Sequence, residues 1–251
     1  MSVTRAEVCA VAIAEIFRGD GEIMVSPMGL LPAIGARLAK LTFEPDMVLS
    51  DGVAGLQANV VGIGEKVEPV LEGVMPYRKI FDLVWWGHRH VLMGATQIDS
   101  FGNTNISAIG DWDQPKVQLL GARGAPGNTI CHPTSYWIAN HSKRAFVETV
   151  DFVSGVGYDR AAELGEGARF HEIRRVVTNL GVFDFESANQ RMRIRSLHPG
   201  VTVEEVQAAT GFELVVPDDV PTSRLPTAEE LTLLRERIDP STKREREVPN
   251  V

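Results

Sequence analysis

Two short apolar runs, 22–26 (EIMVS) and 46–50 (DMVLS), bracket a stretch at 28–40 in which Leu31, Ile34 and Leu38 recur at helical spacing. Strand, helix, strand in that order is a βαβ unit, and no other feature constrains the fold as much. Parallel strands need a crossover, and a helical crossover covers one sheet face, so a parallel sheet flanked by helices is the expected frame. Ahead of it, Thr4 and Glu7 form a T-x-x-E capping box. Val8, Val11, Ala12 and Ile16 then follow at helical spacing until Gly19 stops the run, which predicts a first helix over 4–18.

From residue 80 onward the texture changes. A helix, a strand over 91–97 and a Gly102-Asn103 turn are expected first, then a strand from 116 that runs into a Gly- and Pro-rich loop, GARGAPGN, at 121–128. Further strands are predicted at 145–152, 174–185 and 193–196. Capping boxes at Thr202 with Glu205 and at Thr227 with Glu230 open two more helices, the second over Leu231, Leu234 and Ile238. With no internal repeat and no low-complexity linker, 1–240 reads as a single domain. The charged tail at 241–251 is expected to fray.

The chain of 251 residues is 44% apolar, enough for a sizeable core, and its net charge of −8 without a basic cluster argues against nucleic-acid binding. No apolar run reaches the length of a membrane span, and the N-terminus lacks signal-peptide order. Cys9 and Cys131 lie far apart in neither a CxxC nor a disulfide-dense pattern, so a reducing, cytoplasmic setting fits. No membrane partner is expected.

Ligands of open α/β sheets bind at the carboxyl ends of strands, which singles out the loops at 50–55, 97–105 and 121–128. In the third, glycines leave backbone N–H groups without strand partners, as an oxyanion hole needs; the plain alternative is a flexible turn. In the second, Gln97, Asp99, Asn103 and Asn105 are suited to bracing the loop through backbone hydrogen bonds. The six histidines show no HxxxH or HExxH spacing, so no metal site is expected, and His88, His132, His141 and His171 read as ordinary polar residues. Trp85, Trp86 and Trp137 read as core or interface anchors. A Ser-His-Asp triad built on Ser50 lacks its G-x-S-x-G elbow, since the neighbours are Val48, Leu49, Asp51 and Gly52.

Four segments, taken in order, resemble the beta subunit of class I CoA-transferases: GATQIDSFGNTNIS from 94, GARGAPGN from 121, RRVVTNLGVFDF over 174–185, and LHPGVTVEEVQAATGFEL over 197–214. The resemblance implies an open, mostly parallel α/β sheet flanked by helices, the CoA-transferase (NagB/RpiA-like) fold. It also implies an alpha subunit as partner, an α2β2 heterotetramer and an acyl-CoA substrate. The oxyanion and CoA-binding positions it points to are Gly52, Gln97, Asn103, Gly121, Ala122, Gly124 and Asn128. No cofactor is implied beyond the coenzyme A that the substrate carries.

Transferases of this family place a glutamate, in an S-E-N-G or E-x-G motif, at the end of the strand that corresponds to 46–50. Aligned on Gly52, that position is Ser50 here. A transferase carboxylate must form an anhydride and then hold CoA as a thioester, and a hydroxyl has no acyl carbon to bind the sulfur. Asp51 is a carboxylate one position along, turned to the other face of a strand and one methylene shorter. Ser50 and Asp51 are therefore expected to shape the pocket, with the acid/base supplied by the alpha subunit. This pattern is most similar to the beta subunit of the ring-cleaving hydrolase of steroid catabolism, where water opens a cyclic beta-keto acyl-CoA. The alternatives are a true CoA-transferase using Asp51 and a non-catalytic metabolite sensor.

Overall fold

Thr4 opens the first helix, α1 (Arg5–Glu15), with both halves of its capping box: its hydroxyl accepts from Glu7 N–H, and Glu7 Oε2 accepts from Thr4 N–H at 3.0 Å. The computed structural model describes residues 2–50 and 55–249. They fall into two compact units, Met1–Met93 with Ser223–Val251, and Gly94–Thr222.

The first unit contains the βαβ pattern: β1 (Met24–Pro27), α2 (Leu30–Thr42), β2 (Val48–Ser50). It continues with β3 (Gly55–Gln57), β4 (Leu71–Val74), α3 (Tyr77–Trp86) and β5 (Arg89–Met93). β1 lies between β2 and β5 and is parallel to both, while β3 and β4 extend the β2 side antiparallel. The helices α1 and α2 pack tightly enough that a Cβ on Gly35 would overlap the Ile13 side chain and stand 3.1 Å from the Ala10 carbonyl. Gly35→Ala is therefore expected to destabilise the chain by a net ~1–2 kcal/mol, overpacking outweighing the gain in helix propensity. A lowered melting temperature checks it.

In the second unit, β6 (Gln97–Ile98) and β7 (Thr104–Asn105) pair antiparallel about the expected turn, where Gly102 takes φ +86°. β8 (Ala108–Ile109) and β9 (Val117–Gln118) form a second small hairpin. After α4 (Ala125–Cys131) come β10 (Pro133–Ile138), α5 (Tyr158–Glu163), β11 (Glu172–Thr178), β12 (Gly181–Asp184), β13 (Arg193–Leu197) and α6 (Val203–Ala209). β10 and β11 are parallel; β12 and β13 follow antiparallel.

Five expectations change. β10 has no counterpart among the predicted strands, although all six of its residues are buried. The strand expected over 145–152 shrinks to one bridge between Ile98 and Phe146, because the chain turns at Ser142 and buries Phe146 against His141. The run 174–185 is two strands, turned where Thr178 Oγ1 accepts from the N–H groups of Leu180 and Gly181. Trp85 and Trp86 are exposed, which removes their core alternative, while Trp137 is buried.

The tail, finally, does not fray over its described part. The chain returns to the first unit through α7 (Ala228–Thr232), a π-helical turn at Leu233–Ile238, and α8 (Arg244–Glu247). Arg244 is buried and donates to Asp239 Oδ2 at 3.1 Å and to Glu7 Oε1 at 3.0 Å, and Arg235 donates to both Glu7 oxygens. Burial pushes the Glu7 carboxyl up, but these guanidinium groups and the Thr4 N–H outweigh it and hold it below the usual range. Glu247 also accepts from Leu31 N–H at 3.0 Å, capping α2, whose N-cap is a glycine without a side chain. Among the described residues no helix is long and apolar enough to cross a membrane.

Candidate active site

Ser50 ends β2, where Leu49 is paired with Val25 on β1. Its hydroxyl is half-buried and donates to the Val25 carbonyl at 3.2 Å, a neighbour that only accepts and so does nothing to activate it. Asp51 and Gly52 lie outside the described residues.

The second unit holds the loop at 121–124, which is narrower than the sequence suggested because α4 begins at Ala125, with Pro126 in its first turn. Pro suits that position, where its missing N–H has no helical acceptor anyway. Gly121 (φ +81°) and Arg123 (φ +50°) both take left-handed backbone conformations. Left-handed residues in alternation with right-handed ones are the backbone pattern of an anion nest, and a non-glycine held left-handed costs about 1–3 kcal/mol. Among the described residues, nothing accepts a hydrogen bond from the N–H of Gly121, Ala122, Arg123 or Gly124. Arg123 is exposed and the other three are half-buried; the space beside Gly121 is open to 4 Å. Four unspent donors at an accessible bend can receive a negatively charged oxygen.

The loop is held from both sides. Leu119 and Leu120 donate to the carbonyls of Ser107 and Ile106, and Ala125 N–H closes the turn on the Ala122 carbonyl at 3.0 Å. Asn103 is 1% exposed and wholly engaged: Nδ2 donates to Asp99 and Asp159, and Oδ1 accepts from Gly157 N–H at 2.7 Å. One residue earlier, Val156 N–H donates to Thr129 Oγ1 on α4. Gln97 is also tied down: Nε2 donates to Asp151 and Oε1 accepts from Asn105 Nδ2 and Asp151 N–H. The amides of Gln97 and Asn103 thus do bracing work, with every side-chain oxygen and nitrogen at these two positions already bonded to protein. Asn128 is buried within α4, and its N–H donates to the Gly124 carbonyl.

Three histidines have specific partners, and of these His141 and His171 are more specialised than the sequence suggested. His90 is buried with Nδ1 2.6 Å from Asp20 Oδ2. His141 lies flat on Phe146, with ring centroids 3.7 Å apart, between the hydroxyls of Thr178 and Thr210. His171 reaches the Thr129 carbonyl. No spacing rule announces any of them, since the hydrogen-bond partners are distant in sequence. Among the described residues no group of His, Cys, Asp and Glu side chains is placed to hold a metal ion.

The coenzyme A transferase family model matches residues 6–209. The chain belongs to the coenzyme A transferase family. It is 55% identical over 246 residues to the cholesterol ring-cleaving hydrolase IpdB subunit of Rhodococcus jostii strain RHA1, covering 98% of this chain and 96% of that one. Against the B subunit of the 3-oxoadipate CoA-transferase of Pseudomonas knackmussii it is 34% identical over 241 residues, 91% of each chain. The crystal structure of Rhodococcus jostii RHA1 IpdAB superposes with a TM-score of 0.94 at 54% identity, covering 99% of each chain. The open α/β sheet with flanking helices is therefore the CoA-transferase fold, and its second unit carries the nest at 121–124.

Proposed function

We propose that this CoA-transferase family chain is the beta subunit of a heteromeric hydrolase that opens a carbon ring of a cyclic beta-keto acyl-CoA, late in steroid ring degradation. Its partner is a CoA-transferase-like alpha subunit in an α2β2 assembly working in the cytoplasm, and coenzyme A enters only as part of the substrate. One contrast carries the proposal: identity to the ring-cleaving hydrolase subunit is 55%, against 34% to a true transferase subunit over a similar length. Ser50, standing where transferases of the family carry glutamate, supports it chemically.

In this reaction a base on the alpha subunit takes a proton from water, and the oxygen adds to the ring ketone. The carbon-carbon bond between the former ketone carbon and the alpha carbon then breaks, its electrons passing into the thioester as an enolate. Protonation of the alpha carbon leaves an open-chain carboxylic acid with its thioester intact. The N–H groups at 121–124 receive the enolate oxygen, whose charge is absent from the substrate, so the loop acts on the transition state. Ser50 shapes the rim and forms no acyl bond.

The test pairs this chain with its alpha subunit and a cyclohexanone-carboxyl-CoA whose ketone is beta to the thioester. The expected product is the ring-opened dicarboxylic mono-CoA thioester, with one oxygen from labelled water in the new carboxylate. Hydroxylamine should trap no protein-bound thioester. A CoA-linked peptide from this chain would return it to transferase chemistry through Asp51.

A further inference from the structure

His171 stands just before β11, after α5 and a 3-10 turn at Gly165–Ala168, and its Nδ1 lies 2.6 Å from the carbonyl oxygen of Thr129 on α4. A carbonyl can only accept, so Nδ1 carries the hydrogen and the neutral ring keeps its lone pair on Nε2. Burial favours that neutral form, and the Thr129 carbonyl opposes it only in part. Tyr158 meets the ring edge-on at 4.8 Å, and its own hydroxyl is tied to the backbone of Ile173, so the imidazole is held in one orientation.

Thr129 is fully buried and is the point where α4 is gripped. Its hydroxyl donates to the Ala125 carbonyl at 3.0 Å and accepts from Val156 N–H, while its carbonyl, near the free end of this short helix, is the atom His171 takes. A seven-residue helix containing Gly127, Asn128 and Thr129 has little stability of its own, so its position depends on such contacts. The first residue of that helix is Ala125, which closes the nest by its bond to Ala122. We infer that His171 is a positioning residue for the oxyanion loop, fixing α4 through the Thr129 carbonyl and thereby the aim of the N–H groups at 121–124. This rests on the assignment of that loop to the enolate oxygen, and it adds a residue that touches no substrate atom.

The experiment uses the complex with its alpha subunit and the cyclohexanone-carboxyl-CoA probe. His171→Phe keeps the ring against Tyr158 but cannot donate; His171→Leu repeats the test with a smaller side chain should the phenyl ring not be accommodated. Both should lower kcat at least ~10-fold with KM within about twofold, since a displacement near 1 Å can cost about 10²-fold in the chemical step. His171→Asn, whose side-chain N–H can reach the same carbonyl, should recover kcat to within about threefold of wild type. A purely packing role would make Asn the worst of the three. An unchanged kcat in the Phe or Leu variant, or an Asn variant as slow as they are, overturns the inference. Ala122→Pro run in parallel separates the two claims. Loss of turnover there with normal His171 variants sinks only the positioning role, and normal turnover in Ala122→Pro sinks the loop assignment itself.

Discussion

Ala122→Pro is expected to lower kcat of the assembled complex by about 10²–10³-fold while leaving KM nearly unchanged, the loss typical of removing one oxyanion donor. The N–H of Ala122 has no acceptor among the described residues, whereas its carbonyl anchors Ala125. Proline removes the first group and retains the second. The effect should fall on kcat because the nest meets its full charge only as the enolate forms; a donor used equally by substrate and transition state would shift KM instead. Ala122→Ser, which keeps the N–H, should turn over within a few-fold of wild type. Its melting temperature provides the folding control for the proline variant. If proline leaves kcat within twofold of wild type, the enolate oxygen is held elsewhere.

What could be read without coordinates follows a physical division. The βαβ unit was legible because its signal is local: apolar residues at helical spacing, a capping box, and a strand short enough to be buried. β10 was not, because Pro133, Thr134 and Ser135 look wrong for a buried strand. The Thr134 hydroxyl is satisfied locally, by the carbonyls of Asn128 and His132, while Tyr136 is paired with Thr104, a contact that no short window of sequence displays. Nor was α4, whose residues have poor helix propensity and which is held by Thr129, Val156 and His171.

The candidate site divides in the same way. The glycines at 121 and 124, and the serine where a carboxylate is needed, were visible in one dimension. The division between unspent backbone donors and amides that brace, which separates residues 121–124 from Gln97 and Asn103, required knowing which hydrogen bonds were already made. The tail misled for a related reason. STKREREVPN reads as solvated charge, yet Arg244 and Glu247 serve Glu7 and the start of α2, more than two hundred positions away in the chain.

Acid should unfold this protein earlier than its carboxylates alone would dictate, and His141 is the reason. The ring is 5% exposed and packed flat on Phe146, and burial drives its pKa down to about 3. In the unfolded chain a histidine takes up its proton near the ordinary value, about 6.5. Between those limits the unfolded state binds more protons than the folded one, so folding stability rises with pH across the window. The contribution is complete above about pH 6.5 and is lost as the pH falls, at roughly 1.4 kcal/mol per unit, or about 3 kcal/mol by pH 4.5. His171, also shifted downward by burial, adds in the same direction, while the salt-bridged Glu7 and Asp184 carboxylates, both held low, begin their losses only at more acid pH. His141→Gln isolates the effect, because glutamine can still bond to Thr178 and Thr210 but takes up no proton. Urea titrations of the purified chain should show the variant less stable than wild type at pH 7 and losing about 3 kcal/mol less between pH 7 and pH 4.5. Equal losses in the two proteins would mean that the ring is already protonated in the folded state, its charge accommodated between the two hydroxyls.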